Sequence, residues 1–269
     1  MDMTKYYAKE NELPLDSIPT DGGFAGIFRK IGCVGDSLSS GEFESLDENG
    51  NRGYHDMYEY SWGQYLGRLI GAEVVNLSRG GMTAFYYDKY FDREMDIWNK
   101  DKVCECYIFA LGVNDVVNNP NFPMGTVDDI CMDDPEKCSP DTFAGCYGKV
   151  LARYRQMQPK ARYFLMTMFK EAGERARINP RVEEHAALLH DIAARFPFMY
   201  VIDYCKYGPV IDDEFRRNFF MGGHLNAAGY LLSSRMTAAY MDYIIRHNPE
   251  DFAQVGFIGK DYHNVSVKW

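Results

Sequence analysis

Five short apolar runs recur along the chain: Phe28 to Gly35, Glu73 to Leu77, Val103 to Leu111, Arg162 to Phe169 and Phe198 to Ile202. Runs this short, and apolar almost throughout, suit strands buried on both faces. The stretches between them show a different period. Phe143, Tyr147, Val150, Tyr154 and Met157 step by four and three, as do Val182, Ala186, Leu189, Ala193 and Phe196. Leu232, Met236, Ala239 and Tyr243 mark a third stripe. Each series puts one apolar face on a helix. Ser61 reads as the cap of a shorter helix through Ile70. Strand and helix in alternation predict an α/β fold, a three-layer α/β/α sandwich around a five-stranded parallel sheet of the flavodoxin-like kind. One domain is expected over residues 1–269, with a core from about 28 to 248 and an extension at each end.

Composition narrows the function classes. Apolar residues make up 46% and charged residues 25%, which is globular rather than disordered. Lys plus Arg is 29 against 39 for Asp plus Glu, a net charge of −10 without a basic cluster, so nucleic-acid binding is not expected. No stretch approaches the roughly 18 apolar residues of a membrane span. Seven cysteines cannot all pair within one chain, and a reducing, cytoplasmic setting is the simpler expectation. The start MDMTKYYAKENELPLDSIPT lacks a basic segment followed by an apolar run, so no signal peptide is read there, although a removed leader stays open. Cys104 and Cys106 are expected to share one buried side of a strand. Cys131, Cys138 and Cys146 lack zinc-type spacing, and no metal is expected. Pro120 to Pro140 reads as an acidic excursion over the surface.

In an open parallel sheet, ligands bind beyond the carboxyl ends of the strands. The residues just after each strand therefore carry the argument. After the first comes Gly35-Asp36-Ser37-Leu38-Ser39, where Ser37 is either an exposed nucleophile or a turn and cap residue. After the second comes Asn76-Leu77-Ser78-Arg79-Gly80-Gly81, whose glycines can present bare backbone N–H groups or simply turn. After the third comes Gly112-Val113-Asn114-Asp115, and the Asn114 amide can face developing negative charge or serve a turn. After the fifth comes Met221-Gly222-Gly223-His224-Leu225-Asn226. Asn226 is a good helix cap, which leaves His224 in the entry loop as a candidate base or as an ordinary loop histidine. Of His55, His185, His190, His224, His247 and His263, only His224 combines a glycine-rich loop with a helix start.

Taken together, GDSLS at 35–39, NLSRGG at 76–81, GVND at 112–115 and GGHLN at 222–226 resemble the four motifs of the SGNH hydrolase superfamily, the GDSL esterases. The resemblance spans most of the chain. It implies an α/β/α fold and ester hydrolysis, with Ser37 as nucleophile and His224 as general base and then general acid. It implies an oxyanion hole from the backbone N–H of Ser37, the backbone N–H of Gly81 and the side chain of Asn114, Gly80 replacing Gly81 if the motif is shifted by one residue. No metal or organic cofactor is implied. One departure stands out. The family's aspartate, three residues before the histidine, is Met221 here, and a thioether cannot steady an imidazolium. The favoured replacement is a backbone carbonyl of the Met221 to Gly223 loop, giving a Ser37–His224 dyad. Asp203, Asp212, Asp213 and Glu214 are the alternative acids.

The stretch Gly53 to Trp62 is rich in aromatic residues with polar tips, which suit either sugar stacking or helix packing. Asp36, Tyr54, His55, Trp62 and Arg79 are the candidate substrate contacts. SWGQYL and SRGGMTA resemble runs in carbohydrate acetylesterases, which implies removal of small acyl groups, acetyl above all, from oligosaccharide esters. A lipase, lysophospholipase or thioesterase activity of the same fold is the alternative, and a non-catalytic flavodoxin-like binding module is the alternative of another class. The tail after His247 has no assignment; it could wrap the domain or meet a partner.

Overall fold

The computed structural model describes residues 7–260. Its centre is a parallel sheet of five strands: β1 (Lys30–Gly35), β4 (Glu73–Ser78), β5 (Cys106–Ala110), β6 (Arg162–Met166) and β7 (Met199–Ile202), in the order β4-β1-β5-β6-β7. All five coincide with the apolar runs. Their register is regular, with Gly35 beside both Ser78 and Ala110 at the carboxyl edge.

Side chains alternate across the sheet and so build two cores. Val34, Tyr107, Phe109, Tyr163 and Leu165 pack against α3 (Phe143–Met157) and α4 (Asn179–Arg195). Ile31, Cys33, Cys106, Ile108, Phe164 and Ile202 pack on the opposite face against α2 (Trp62–Ile70) and α6 (Ala227–His247). These are the three layers expected. The helix starts are capped as the sequence indicates: Ser61 accepts from the Gln64 N–H, and Asn226 from the Gly229 N–H. Cys104 corrects one expectation. It precedes β5 and joins the core opposite the one that holds Cys106. Residues 120–140 form a long connection with short 3-10 turns, and it is not only a surface excursion: Ile130, Met132 and Cys138 are buried in the α3–α4 core. The tail from Pro249 folds back, burying Phe252, Val255 and Ile258 in the α2–α6 core. His263 and the rest of the tail beyond residue 260 lie outside the described residues, as do residues 1–6. No helix among the described residues is long and apolar enough to cross a membrane.

Two small additions decide the site. The first is an antiparallel ribbon, β2 (Glu42–Leu46) and β3 (Arg52–Asp56), inserted directly after the one-turn helix α1 (Ser37–Ser40). Gly41 ends α1 at φ 78° and turns the chain into β2, and Gly50 takes φ 78° in the connecting loop. A left-handed residue is cheap only for glycine at such points. The second is a two-residue ribbon, β8 (Phe220–Met221) with β9 (His224–Leu225), between α5 (Asp213–Phe219) and α6.

Candidate active site

The sheet order places its switch point at the carboxyl ends of β1 and β5, where α/β sheets hold their ligands. Gly35 closes β1; a Cβ there would lie 2.2 Å from the Ser39 Oγ, so only glycine lets α1 start this tightly. Asp36 caps α1, accepting the Leu38 N–H at 3.1 Å. Ser37 follows as the first helical residue, partly exposed at the sheet edge.

The His224 Nε2 lies 3.0 Å from the Ser37 Oγ. On the other side of the ring, Nδ1 lies 2.8 Å from Oε1 of Glu44, in the inserted ribbon. This corrects the carbonyl-assisted dyad: the partner is a carboxylate 180 residues away in sequence. The same Oε1 accepts the Gly223 N–H at 2.6 Å, and Arg52 pairs with Oε2 at 2.9 Å. Burial of the carboxyl would raise its pKa, but the bonds from His224 and Gly223, with the Arg52 charge, outweigh that and hold Glu44 below the usual carboxylate range. An ionised Glu44 can only accept, so Nδ1 carries the hydrogen and Nε2 keeps the lone pair that faces Ser37.

The glycine pair before His224 makes room for this acid. A Cβ on Gly222 would come within 2.0 Å of Glu44 Oε2, and Gly222 stands at φ 70°. A Cβ on Gly223 would come within 3.0 Å of Oε1. Met221 faces His224 across the short ribbon, and the acid that the motif lacks at 221 arrives through space instead.

None of the four alternative acids is the partner. Asp203 lies 2.8 Å from the Nε2 of a different histidine, His190, and also accepts from Thr167 and from the Lys206 N–H. Asp212 caps α5 through the Phe215 N–H, and Asp213 and Glu214 are exposed in that helix's first turn.

Across the cleft, Gly81 takes φ 72° in the loop after β4. Its N–H meets no backbone acceptor among the described residues. Asn114 is tied to that loop: its amide donates to the Met82 carbonyl at 3.1 Å, and its Oδ1 accepts from Asn118 at 2.8 Å. One amide hydrogen is left for a ligand. Asp115 turns inward, where burial pushes its carboxyl up to about 6 while it accepts the Ala84 and Phe85 N–H groups. Gly80 lies against the Glu42 side chain; a Cβ there would sit 2.1 Å from Oε2.

The five substrate candidates divide. Tyr54 is 58% exposed, with its ring edge-on to His224 at 6.0 Å, and so stands at the mouth of the site. His55 corrects the expectation: strand alternation puts it on the opposite ribbon face, bonded to Ser45 at 2.7 Å. Trp62 is buried in the α2–α6 core. Asp36 is buried under α1, where burial lifts its carboxyl to about 7. Arg79 is half-exposed and paired with Glu94. The residues that sequence reading missed are Glu42, Glu44 and Arg52. Their signal was present. Glu42-Phe43-Glu44 alternates, Arg52-Gly53-Tyr54-His55-Asp56 follows, and Asp47-Glu48-Asn49-Gly50-Asn51 between them is hairpin-loop material.

Residues 33–232 match the model of the GDSL-like lipase/acylhydrolase family, and that span is most of the chain. The chain belongs to this family. This family member is therefore an ester hydrolase, and the four strand-end motifs all fall within the matched residues. No curated protein matches the sequence. Among solved structures, it is similar to a family two carbohydrate esterase from Clostridium thermocellum in complex with cellohexaose, at 16% identity and TM-score 0.53, over 83% of this chain and 65% of that one. A family two carbohydrate esterase with a carbohydrate-binding domain from Corynascus thermopiles (Myceliophthora fergusii) is similar at 13% identity and TM-score 0.52, over 85% of this chain and 67% of that one. At such identities the likeness speaks for the fold, α/β with helices on both faces of a parallel sheet.

Proposed function

We propose that this ester hydrolase works through a Ser37–His224–Glu44 triad and removes small acyl groups, acetyl first among them, from carbohydrates. The observation that carries the triad is the continuous line from Ser37 Oγ through both imidazole nitrogens to the Glu44 carboxylate, at 3.0 and 2.8 Å.

The geometry supports the following steps. Ser37 Oγ attacks the ester carbonyl carbon while its proton passes to His224 Nε2. Glu44 fixes the tautomer and offsets the imidazolium charge. The oxyanion takes hydrogen bonds from the Ser37 and Gly81 N–H groups and the Asn114 amide, each worth about 3 kcal/mol in the transition state. The bond to the leaving alcohol breaks, and Nε2 returns the proton to that oxygen. Water then enters, gives a proton to Nε2 and attacks the acyl-enzyme, and the acid departs as Ser37 recovers its hydrogen.

Two observations favour a sugar as the alcohol. Tyr54 offers an exposed ring beside His224, and an amphipathic ring can stack on a sugar while its hydroxyl bonds to another. The carbohydrate esterase that shares the fold was solved with cellohexaose. A second reading, a longer acyl chain, draws on one feature. A cavity of about 310 Å³ with apolar walls that include Leu38, Met166, Phe169 and Leu225 adjoins Asp36 and Gly223, the neighbours of Ser37 and His224.

The test compares wild type with Ser37→Ala on acetylated xylo-, manno- and sialo-oligosaccharides and on p-nitrophenyl esters of increasing chain length, with product mass analysis. Ser37-dependent release of acetate from at least one oligosaccharide is expected. Cleavage confined to long acyl chains would replace the carbohydrate reading with the lipase-like one. Equal rates with and without the Ser37 hydroxyl would remove the triad.

A further inference from the structure

Strand alternation puts Glu42 and Glu44 on the same face of β2, and the imidazole of His224 sits between them. Glu44 Oε1 is 2.8 Å from Nδ1, and Glu42 Oε1 is 3.3 Å from Nε2, the nitrogen that serves Ser37. The two carboxylates differ in their donors. Glu44 is supplied by His224, Gly223 and Arg52. The Glu42 carboxylate receives no hydrogen bond from any N–H or O–H of the described residues beyond its approach to Nε2; the Tyr230 hydroxyl nearby donates to its backbone carbonyl. Burial, Asp56 and Glu44 raise its carboxyl pKa, while the His224 charge opposes them.

With the Nδ1 hydrogen committed to Glu44, Nε2 presents a lone pair. An ionised Glu42 presents another, and between it and the neutral ring neither can donate to the other. A molecule with two O–H groups resolves the conflict by giving one to each. Glu42 Oε2 also abuts Gly80, next to the Gly81 N–H, so the carboxylate reaches from the base to the oxyanion loop. In the acyl-enzyme, Ser37 Oγ carries no hydrogen, and the species that occupies this corner is the hydrolytic water.

We propose that Glu42 is a catalytic residue of the second half-reaction, accepting one hydrogen of the water that His224 activates and aiming its oxygen at the acyl carbon. In that step one O–H bond of water breaks, its proton goes to Nε2, and the oxygen bonds to the acyl carbon. Glu42 keeps its hydrogen bond and takes no proton. The tetrahedral intermediate then expels Ser37 Oγ, which recovers the proton from Nε2, and the free acid leaves. The inference rests on the Ser37 acyl-enzyme reading.

The experiment follows p-nitrophenyl acetate hydrolysis by wild type, Glu42→Gln and Glu42→Ala, with rapid mixing and intact-protein mass spectrometry. Loss of water alignment predicts a fall in kcat of about 100-fold, a matching fall in KM, a burst of p-nitrophenol, and accumulation of acetylated Ser37. Hydroxylamine, a stronger nucleophile, should restore turnover in both variants. The alanine variant guards against a glutamine amide that donates to Nε2. A fall in kcat/KM as large as that in kcat, without acyl-enzyme, would overturn the role of Glu42. Absence of any Ser37-dependent hydrolysis in wild type would instead overturn the triad, so the two failures are separable.

Discussion

Two histidines of this molecule meet a carboxylate at the same distance. His190 Nε2 lies 2.8 Å from Asp203, and His224 Nδ1 lies 2.8 Å from Glu44. Their surroundings differ. The His190 side chain is 55% exposed on α4, and Asp203 spends its other bonds capping the helical turn after β7 and holding Thr167. His224 is 17% exposed, with Ser37 on its free nitrogen and a glycine turn wrapped round its acid. A histidine beside an acid is therefore no signature of catalysis. What matters is the partner of the second ring nitrogen.

Breaking the acid of each pair gives the widest contrast. Glu44→Gln is expected to lower kcat by about 10⁴, the cost of losing tautomer control in a serine–histidine–acid site, while Asp203→Asn leaves kcat within about threefold. Steady-state kinetics on p-nitrophenyl acetate separates them, and a comparable loss from both would erase the distinction. Gly222→Ala attacks the same acid indirectly. Its Cβ would displace Glu44 Oε2 from a turn at φ 70°, and a fall in kcat of about 100-fold is expected from so small a shift. Asp203→Ala, which removes the capping oxygen that Asp203→Asn keeps, should instead appear in thermal unfolding. Weakening a helix cap by about 1 kcal/mol lowers the Tm by roughly 2–4 °C in a domain of this size.

A third acid sharpens the point. Among the described residues Asp36 has no histidine or cation to offset its burial, which lifts its carboxyl to about 7, and its Oδ2 has no partner there. Between the unfolded value near 4 and about 7 the folded protein holds this proton and the unfolded chain does not. Its contribution is thus present at low pH and is lost as pH rises through that window. Asp36→Asn keeps an oxygen for the Leu38 N–H and cannot ionise. The Tm difference between variant and wild type should move in the variant's favour by a few degrees from pH 5 to pH 8. A pH-independent difference would place the Asp36 charge outside the folding equilibrium.

Much of the architecture was written locally. The five strands, the stripes of α3, α4 and α6, and the Ser61 and Asn226 caps follow from apolar period and capping chemistry, which act over a few residues. The positions of Ser37, Gly81, Asn114 and His224 were legible for the same reason, since each follows a recognisable strand or precedes a recognisable helix. Strand ends shifted where backbone pairing stopped; β5 begins at Cys106 rather than Val103.

The acid was different. Met221 announced that the usual aspartate was gone, and the chain then held 39 acidic residues with no local rule to choose among them. Glu44 won because a ribbon inserted after α1 folds its polar face against the Gly222–Gly223 turn. That contact joins residues 180 apart in sequence. Local periodicity reports which side of a strand a residue occupies, and it carries no information on what lies across from that side. Only the packed chain brought a carboxylate, a turn without side chains and an imidazole to the same few ångströms.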